Sequence, residues 1–353
     1  MQFALTDEQR DLQSSVRRLA AERFPLTAVR EVFDDPDGDG DPPELWKSVA
    51  AQGWLAGLVP ERFGGLGLGL LDVAVIARCW GEAVLPGPLL PTIVAAEAVR
   101  LTGSEEQQRE WLTRVASGDA RLTLADGNDV VARDGLLDGV AAHVEYAHVA
   151  DRLVVAAREG DAMSLWLVDP SAAGVTITRQ DALDRSTRLA TVAFDAAPAQ
   201  RLGAVVTQVL DRAAVLYAND LAGVSRQALV RTVAYVRTRE QFGRPVGSFQ
   251  AIKHALADLH VAVTMAEHAA WYAAHALDET LPDAVLAVSV AKAKANLAAR
   301  DATAAMIQYH GGIGYTWEHE AHLFFKRARR EEFQYGDTGM HLQRVARIVI
   351  DGS

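Results

Sequence analysis

Apolar residues recur at helical spacing through the first third of the chain. Thr6, with Gln9 three residues on, predicts a capping box, and Leu12, Val16, Leu19 and Ala20 continue one helix face. A loop rich in Asp, Gly and Pro runs from Asp34 to Pro43. Glu44 to Gly53 then reads as a short amphipathic helix stopped by glycine. VPERFGGLGLGLLD (Val59 to Asp72) is glycine punctuation leading into an apolar helix. Ser104 and Gln107 predict a second capping box, opening the helix that contains Trp111 and Leu112.

The pattern changes near Gly118. From Arg121 to Leu202 the chain is rich in Val, Thr and Leu, broken by Gly, Asp and Pro. LTLA, RLVVAA, SLWLV, GVTIT and LATVAF read as strands about ten residues apart, which predicts a small antiparallel sheet. After Gly203 long Ala-rich helical stretches return, at about Val205 to Arg237, Phe249 to Leu277 and Pro282 to Tyr309. Short connections between long helices predict a bundle. The fold class is therefore α+β and mostly α. Its parts are a helical domain over 1–118, a middle antiparallel β domain over 119–202 and a C-terminal four-helix bundle over 203–353.

Composition narrows the function classes. A chain of 353 residues, half of them hydrophobic, exceeds one simple core and suggests two or three subdomains. Its net charge of -11 argues against non-specific nucleic-acid binding, which needs clustered Lys and Arg. The single cysteine, Cys79, forms no intrachain disulfide and lacks the companions of a structural zinc site. MQFALTDEQRDLQ has no basic stretch followed by an apolar one, and no apolar run approaches the ~20 residues that span a bilayer. The expectation is a cytoplasmic protein with no membrane or nucleic-acid partner.

Two stretches carry chemistry. In YVRTREQFGRPVGSFQAIKHALADL, Arg237, Arg239 and Arg244 cluster beside a Gly- and Pro-containing loop and a new helix start near Ser248 or Phe249. Guanidinium groups and free N–H groups together suit a phosphate. The same arrangement also reads as a solvated helix end whose arginines complement the dipole. In IQYHGGIGYTWEHEAHLFFKRARR, Gly311, Gly312 and Gly314 permit either close backbone approach to a ligand or a tight turn. His319 and His322, three apart, would share one helix face beside His310. No carboxylate pair at helical ligand spacing accompanies them, so no metal is expected.

These two stretches, in this order, resemble the C-terminal domain of acyl-CoA dehydrogenases. LTDEQRDLQSSVRRLA, GWLAGLVPERFGGLGLGLLDVAVIARCWGEA and TGSEEQQREWLTRVASGDARLTLA are similar to the family's N-terminal part. The resemblance spans nearly the whole chain and implies FAD as cofactor. It implies that Arg239 binds the FAD pyrophosphate of a neighbouring subunit, that Phe242 packs beside the cofactor and that Gln250 lies near the adenosine half. Gln308, Gly311 and Gly312 would line the same dinucleotide from the partner chain. A homo- or hetero-oligomer, in the form of a tetramer, follows from that sharing. The implied substrate is an acyl-CoA or acyl-carrier thioester, and the implied acceptor an electron-transfer flavoprotein or a similar protein.

The family reaction moves an α-proton to a carboxylate and a β-hydride to flavin N5. Its glutamate lies in a YEGT-like motif, where this chain reads FQYGDTGMHLQRVARIV, with two extra residues. Aligned from Arg344 the base position falls on Asp337; aligned from Tyr335 it falls on Gly336. Asp337 is thus the candidate base, and equally a cap for a helix starting at Thr338. Other members place the base on the first long helix of the C-terminal domain. That position reads Ala213 here, with Asp211 and Asp220 as the nearest carboxylates. LADGND (Leu124 to Asp129) replaces a longer loop that touches flavin and substrate, and a segment near His143 and Val144 replaces the pair that covers the flavin edge. These departures resemble the smaller subunit of heteromeric acyl-CoA dehydrogenases, some of which act on steroid thioesters. Three functions stay open: a catalytic dehydrogenase with Asp337 as base, a subunit that completes a FAD site, and a flavin monooxygenase or oxidase on the same fold.

Overall fold

A computed structural model describes residues 4–351, the side chains of Asn128 and Asp351 excepted. The first three residues of the opening stretch and the Asn128 side chain of LADGND lie outside the described residues. In chain order a helical N-terminal part, a central sheet and C-terminal helices follow one another. The chain also gathers into two compact units that interleave these stretches. The first takes residues up to Arg30, Leu70–Leu85 and everything from Ala213; the second takes Glu31–Gly69 and Pro86–Arg212.

In the first unit, α1 (Asp7–Arg23) opens on the predicted capping box. Thr6 Oγ1 accepts from Gln9 N–H at 3.2 Å, and Gln9 Oε1 accepts from Thr6 N–H at 3.1 Å. Gln9 also donates to Asp72 Oδ1 at 2.8 Å, which ties α1 to α4 (Leu70–Glu82). The start of α4 is capped from a distance: the Asp278 carboxylate accepts from the N–H groups of Leu70 and Leu71, both at 2.9 Å. Asp278 ends α8 (Gln250–Asp278), which antiparallel helices α7 (Val206–Thr238) and α9 (Ala284–His310) accompany. Two glycines let α4 and α7 approach. A Cβ on Gly81 would meet the Asp220 carbonyl at 2.0 Å, and one on Gly223 would meet the Arg78 carbonyl at 1.9 Å. Beyond α9 come α10 (Ala321–Glu331) and α11 (Thr338–Ala346), both packed on α9.

In the second unit, α2 (Leu26–Asp34) ends and α3 (Pro43–Ala51), α5 (Leu89–Thr102) and α6 (Glu105–Ser117) lie apart from the sheet strands in sequence. The second capping box forms as predicted, Ser104 with Gln107, and Gly118 closes α6 at φ +81°. The sheet has six strands, β1 (Leu122–Arg133), β2 (Leu136–Glu145), β3 (Arg152–Glu159), β4 (Ala162–Val168), β5 (Val175–Gln180) and β6 (Leu189–Gly203). Their order is β2-β1-β3-β4-β6-β5, with β2 also pairing β6. Val130, Leu137, Val155, Trp166, Val192 and Phe194 fill its core.

Two features differ from the sequence reading. The strand β2 was not among the expected ones, because Asp138, Gly139, Ala141 and Ala142 interrupt its run and leave Val140 as the one β-branched residue at its centre. The pairing of β1 with β3 is parallel, whereas every other pairing in this sheet is antiparallel. The chain reverses at Asp134–Gly135, runs through β2 and reverses again before β3, so β3 must run the same way as β1. The Asp, Gly and Pro loop is held by two arginines. Arg179 donates to the carbonyls of Pro36, Asp37 and Gly38, and Arg188 to those of Val32, Asp35 and Gly38.

Candidate cofactor-binding surface

The arginine-rich stretch forms the link between α7 and α8. Arg239 follows the last turn of α7, and its N–H donates to the Tyr235 carbonyl at 2.9 Å. Two short strands, β7 (Glu240–Gln241) and β8 (Arg244–Pro245), then form a hairpin whose tip is Phe242 and Gly243. Phe242 is 90% exposed and sits at φ +55°, a conformation that costs a bulky residue free energy. The Arg244 guanidinium lies 4.1 Å over the ring of Phe249, and Gln250 begins α8 on the exposed side. The helix start falls one residue beyond the predicted one.

At the end of α9, Gln308, Gly311 and Gly312 are exposed. Gly311 has φ +64° and ψ −141°, a region that only glycine occupies readily. No atom lies within 4 Å of a Cβ added to Gly311 or Gly312, whereas one on Gly314 would meet the Ile307 carbonyl at 2.6 Å. Gly314 therefore serves the turn, and the other two leave open backbone. Tyr315 beside them is 88% exposed. The two stretches meet through rings: His310 stacks on Tyr235 at 4.3 Å between centroids.

The histidines are arranged differently from the expectation. His319 lies in the turn before α10 and His322 within it, so the two share no helix face. His319 packs against His310 at 4.5 Å, and His322 stacks on Trp317 at 4.7 Å. Among the described residues no group of three His, Cys, Asp or Glu side chains is placed to hold a metal ion.

The candidate base sits on a tightly built segment. Asp337 caps α11, its Oδ1 accepting from Met340 N–H at 2.7 Å, and it is exposed. Phe333, four residues before it, is 64% exposed. Tyr335 and Gly336 adopt φ +54° and +106° in succession. Beneath them Lys292 is fully buried. Its Nζ donates to Asn296 Oδ1 at 2.7 Å and reaches the carbonyls of Glu331, Gly336 and Glu332 at 3.0, 3.3 and 3.4 Å. Burial pulls this ammonium down to about 7, against the carboxylates of Glu331, Glu332 and Asp337.

On α7, Ala213 is buried, and Tyr217 one turn further meets the Tyr335 ring edge-on at 4.9 Å. Asp220 is committed elsewhere. It is fully buried and takes both Arg327 Nη2 (2.7 and 2.8 Å) and Nε (3.1 Å). Burial holds its carboxyl well above the usual range; Arg327 opposes this and Glu331 adds to it. Asp211 is buried within the second unit. There, β1 runs through LADGND with an irregular register between Asp126 and Val131, and β2 is irregular between Ala141 and Val144. His143 lies in that irregularity, exposed, at φ +58°, and Val144 is buried. Lys292, Tyr217 and the His310–Tyr235 contact were not foreseen: a single Lys or Tyr in an Ala-rich helix carries no local signal.

In chain order the architecture is a helical part, a sheet and C-terminal helices, and the last of these expose Arg239, Phe242, Gln308, Gly311 and Gly312. Residues 6–119 match the acyl-CoA dehydrogenase N-terminal domain and residues 203–350 the acyl-CoA dehydrogenase C-terminal domain. The chain is 33% identical over 330 residues to acyl-CoA dehydrogenase IpdE2 of Mycobacterium tuberculosis, covering 91% of each. Its structure is similar to that of a Tcur3481-Tcur3483 steroid ACAD variant, with TM-score 0.91, 31% identity and 98% of each chain covered. It is also similar to the ChsE4-ChsE5 complex from Mycobacterium tuberculosis, with TM-score 0.92, 27% identity and 99% of each chain covered. The chain belongs to the acyl-CoA dehydrogenase family, whose members are FAD-dependent oxidoreductases. No helix among the described residues is long and apolar enough to cross a membrane.

Proposed function

We propose that this chain supplies the FAD-facing surface of a two-chain acyl-CoA dehydrogenase acting on a bulky, steroid-type acyl thioester. The observation that carries the reading is the joint exposure of Arg239, Phe242, Gln308, Gly311 and Gly312 around the His310–Tyr235 contact. These residues fit a dinucleotide. A guanidinium suits the diphosphate, bare backbone at two glycines admits it closely, and an exposed ring offers a face to stack on. Gln250 at the start of α8 extends the same chemistry toward the adenosine half. When bound, FAD would supply the hydride acceptor. The steroid preference and the two-chain assembly are supported by relatives whose own names state them. An electron-transfer flavoprotein or similar protein would take the electrons onward.

The base favours a partner chain. Asp337 is exposed and occupied as a helix cap, and the α7 position carries Ala213. A second reading makes the chain catalytic by itself, with Asp337 taking the α-proton. It is favoured by the consecutive positive φ angles at Tyr335 and Gly336, since strain is kept where geometry matters.

Expression of the chain alone, and together with a second acyl-CoA dehydrogenase-type chain, tests this. The proposal expects flavin and a defined oligomer by light scattering only on co-expression, and bleaching of the flavin by a steroid acyl-CoA without oxygen. A flavin-loaded homo-oligomer bleached by the same thioester supports the second reading. Absence of flavin from both preparations sinks the two together.

A further inference from the structure

His310 is used by neither reading of the reaction, yet it touches both halves of the proposed FAD surface. It is the last residue of α9, directly before Gly311, and it is buried. Its Nδ1 lies 2.6 Å from the Met306 carbonyl, which can only accept, so Nδ1 carries the proton and donates. One face of the ring packs on Tyr235 at 4.3 Å with 26° between planes. Tyr235 in turn receives the Arg239 N–H on its carbonyl at 2.9 Å. The same ring meets that of His319 at 4.5 Å, tilted by 51°.

The surroundings fix this stack. His319 Nδ1 accepts from Ala321 N–H at 3.1 Å, which requires an unprotonated nitrogen there. Burial lowers the basicity of His319, and His310, Arg231 and Arg30 act in the same direction while Glu320 opposes them. Arg231 pairs with Glu320, and Arg30 donates to the carbonyls of Trp317 and Glu318 at 2.5 and 3.1 Å. The far end of the glycine turn is thus anchored independently of His310. His310 joins the near end to the last turn of α7 through Tyr235.

We propose that His310 is a positioning residue for the cofactor: its ring, stacked on Tyr235, sets the spacing between Arg239 and the open backbone of Gly311 and Gly312. This rests on the reading that these residues face FAD. A diphosphate spans a fixed distance, so donors held at the wrong separation cannot both reach it. Loss of the ring should then weaken FAD without removing any group that touches it.

The test compares wild type, His310→Ala, His310→Phe and Arg239→Ala, each in the assembly in which wild type is isolated. FAD titration is read by flavin fluorescence, and hydrogen exchange of residues 235–246 and 307–317 by mass spectrometry. His310→Ala should raise the FAD Kd by about tenfold, the scale of one lost charge-assisted contact. It should also speed exchange in both segments. His310→Phe keeps the stacked ring and should stay within about threefold of wild type. If His310→Ala binds FAD normally while Arg239→Ala loses it, the surface stands and the positioning role is wrong. If His310→Phe is as impaired as His310→Ala, the bond to Met306 matters and the spacing role is overturned. If Arg239→Ala also binds normally, the FAD surface itself is misassigned, and unchanged exchange in His310→Ala would then remove the coupling as well.

Discussion

Two neighbouring regions after α9 reverse the usual distribution of side chains. From Ile313 to Trp317 apolar and aromatic groups face solvent: Ile313 and Trp317 are half exposed and Tyr315 nearly fully. From Arg327 to Gly336 the charges go inside. Arg327, Glu331 and Lys292 are buried together with Asp220, and each is met by opposite charge or by carbonyls. Charged residues are rarely buried unless paired, and contiguous exposed apolar groups mark a surface for something else. The buried charges therefore hold the C-terminal segment, and the apolar groups of 313–317 form the kind of surface that a bound molecule or another chain covers. Charge in the sequence is a poor guide here to where chemistry occurs.

The sharpest test of that contrast removes one partner of the buried set. Asp220→Ala takes from Arg327 the carboxylate that Nη2 and Nε reach, and leaves it Glu331 as its ion-pair partner in a site closed to water. The expected loss is about 3–5 kcal/mol, the cost of breaking a buried pair, read by urea denaturation. Tyr315→Ala should cost little on the same scale. Equal effects at the two sites would break the comparison.

Arg239→Ala should act in the opposite sense. It removes an exposed guanidinium, so unfolding free energy should stay within about 0.5 kcal/mol of wild type. FAD affinity should fall by roughly 1.5–3 kcal/mol, the value of a charge-assisted hydrogen bond. Dialysis followed by flavin absorbance measures it. Full flavin retention would return Arg239 to the role of a solvated helix end.

Lys292 gives the contrast a pH dependence. Its folded value, lowered to about 7, lies below that of an unfolded lysine, near 10.4. Between these values the unfolded chain binds more protons. Stability from this group therefore rises with pH, by at most about 1.4 kcal/mol per pH unit. Lys292→Met removes the titration. The stability of wild type relative to Lys292→Met should increase between about pH 7 and 9. A flat difference would mean that the four oxygens keep the ammonium charged throughout.

What was legible in the sequence was local. Both capping boxes formed, and the three long helices fell within a residue or two of their periodic stretches, because caps and apolar spacing act over a few residues. The missing strand was signalled only by Asp134–Gly135, a pair that favours a tight hairpin, and its Ala- and Gly-rich body hid the rest. The parallel pairing of β1 with β3 is a long-range outcome that no local pattern states. At the site, the motif residues were visible one by one. Their convergence was not, because it depends on His310 meeting Tyr235 across the bundle. The Lys292 contacts were hidden for the same reason, since a lysine in AKAKANLAA looks like part of a solvated face.

The smallest expected effect decides the role of Asp337. Its carboxylate accepts from Met340 N–H, and Asn caps a helix about as well as Asp. Asp337→Asn should therefore keep wild-type stability, whereas Asp337→Ala should lose about 1 kcal/mol. Asn has no basic oxygen, so the same pair of variants separates the cap from a base. If the partner chain holds the base, Asp337→Asn should reduce its flavin with a steroid acyl-CoA at nearly the wild-type rate, measured by stopped-flow absorbance. A fall of about 100-fold with FAD still bound would make Asp337 the group that takes the α-proton. The segment that carries it, with two positive φ angles above the buried Lys292, would then be the scaffold of a catalytic carboxylate. With no such fall, Asp337 is the cap of α11 and the group that takes the α-proton lies elsewhere.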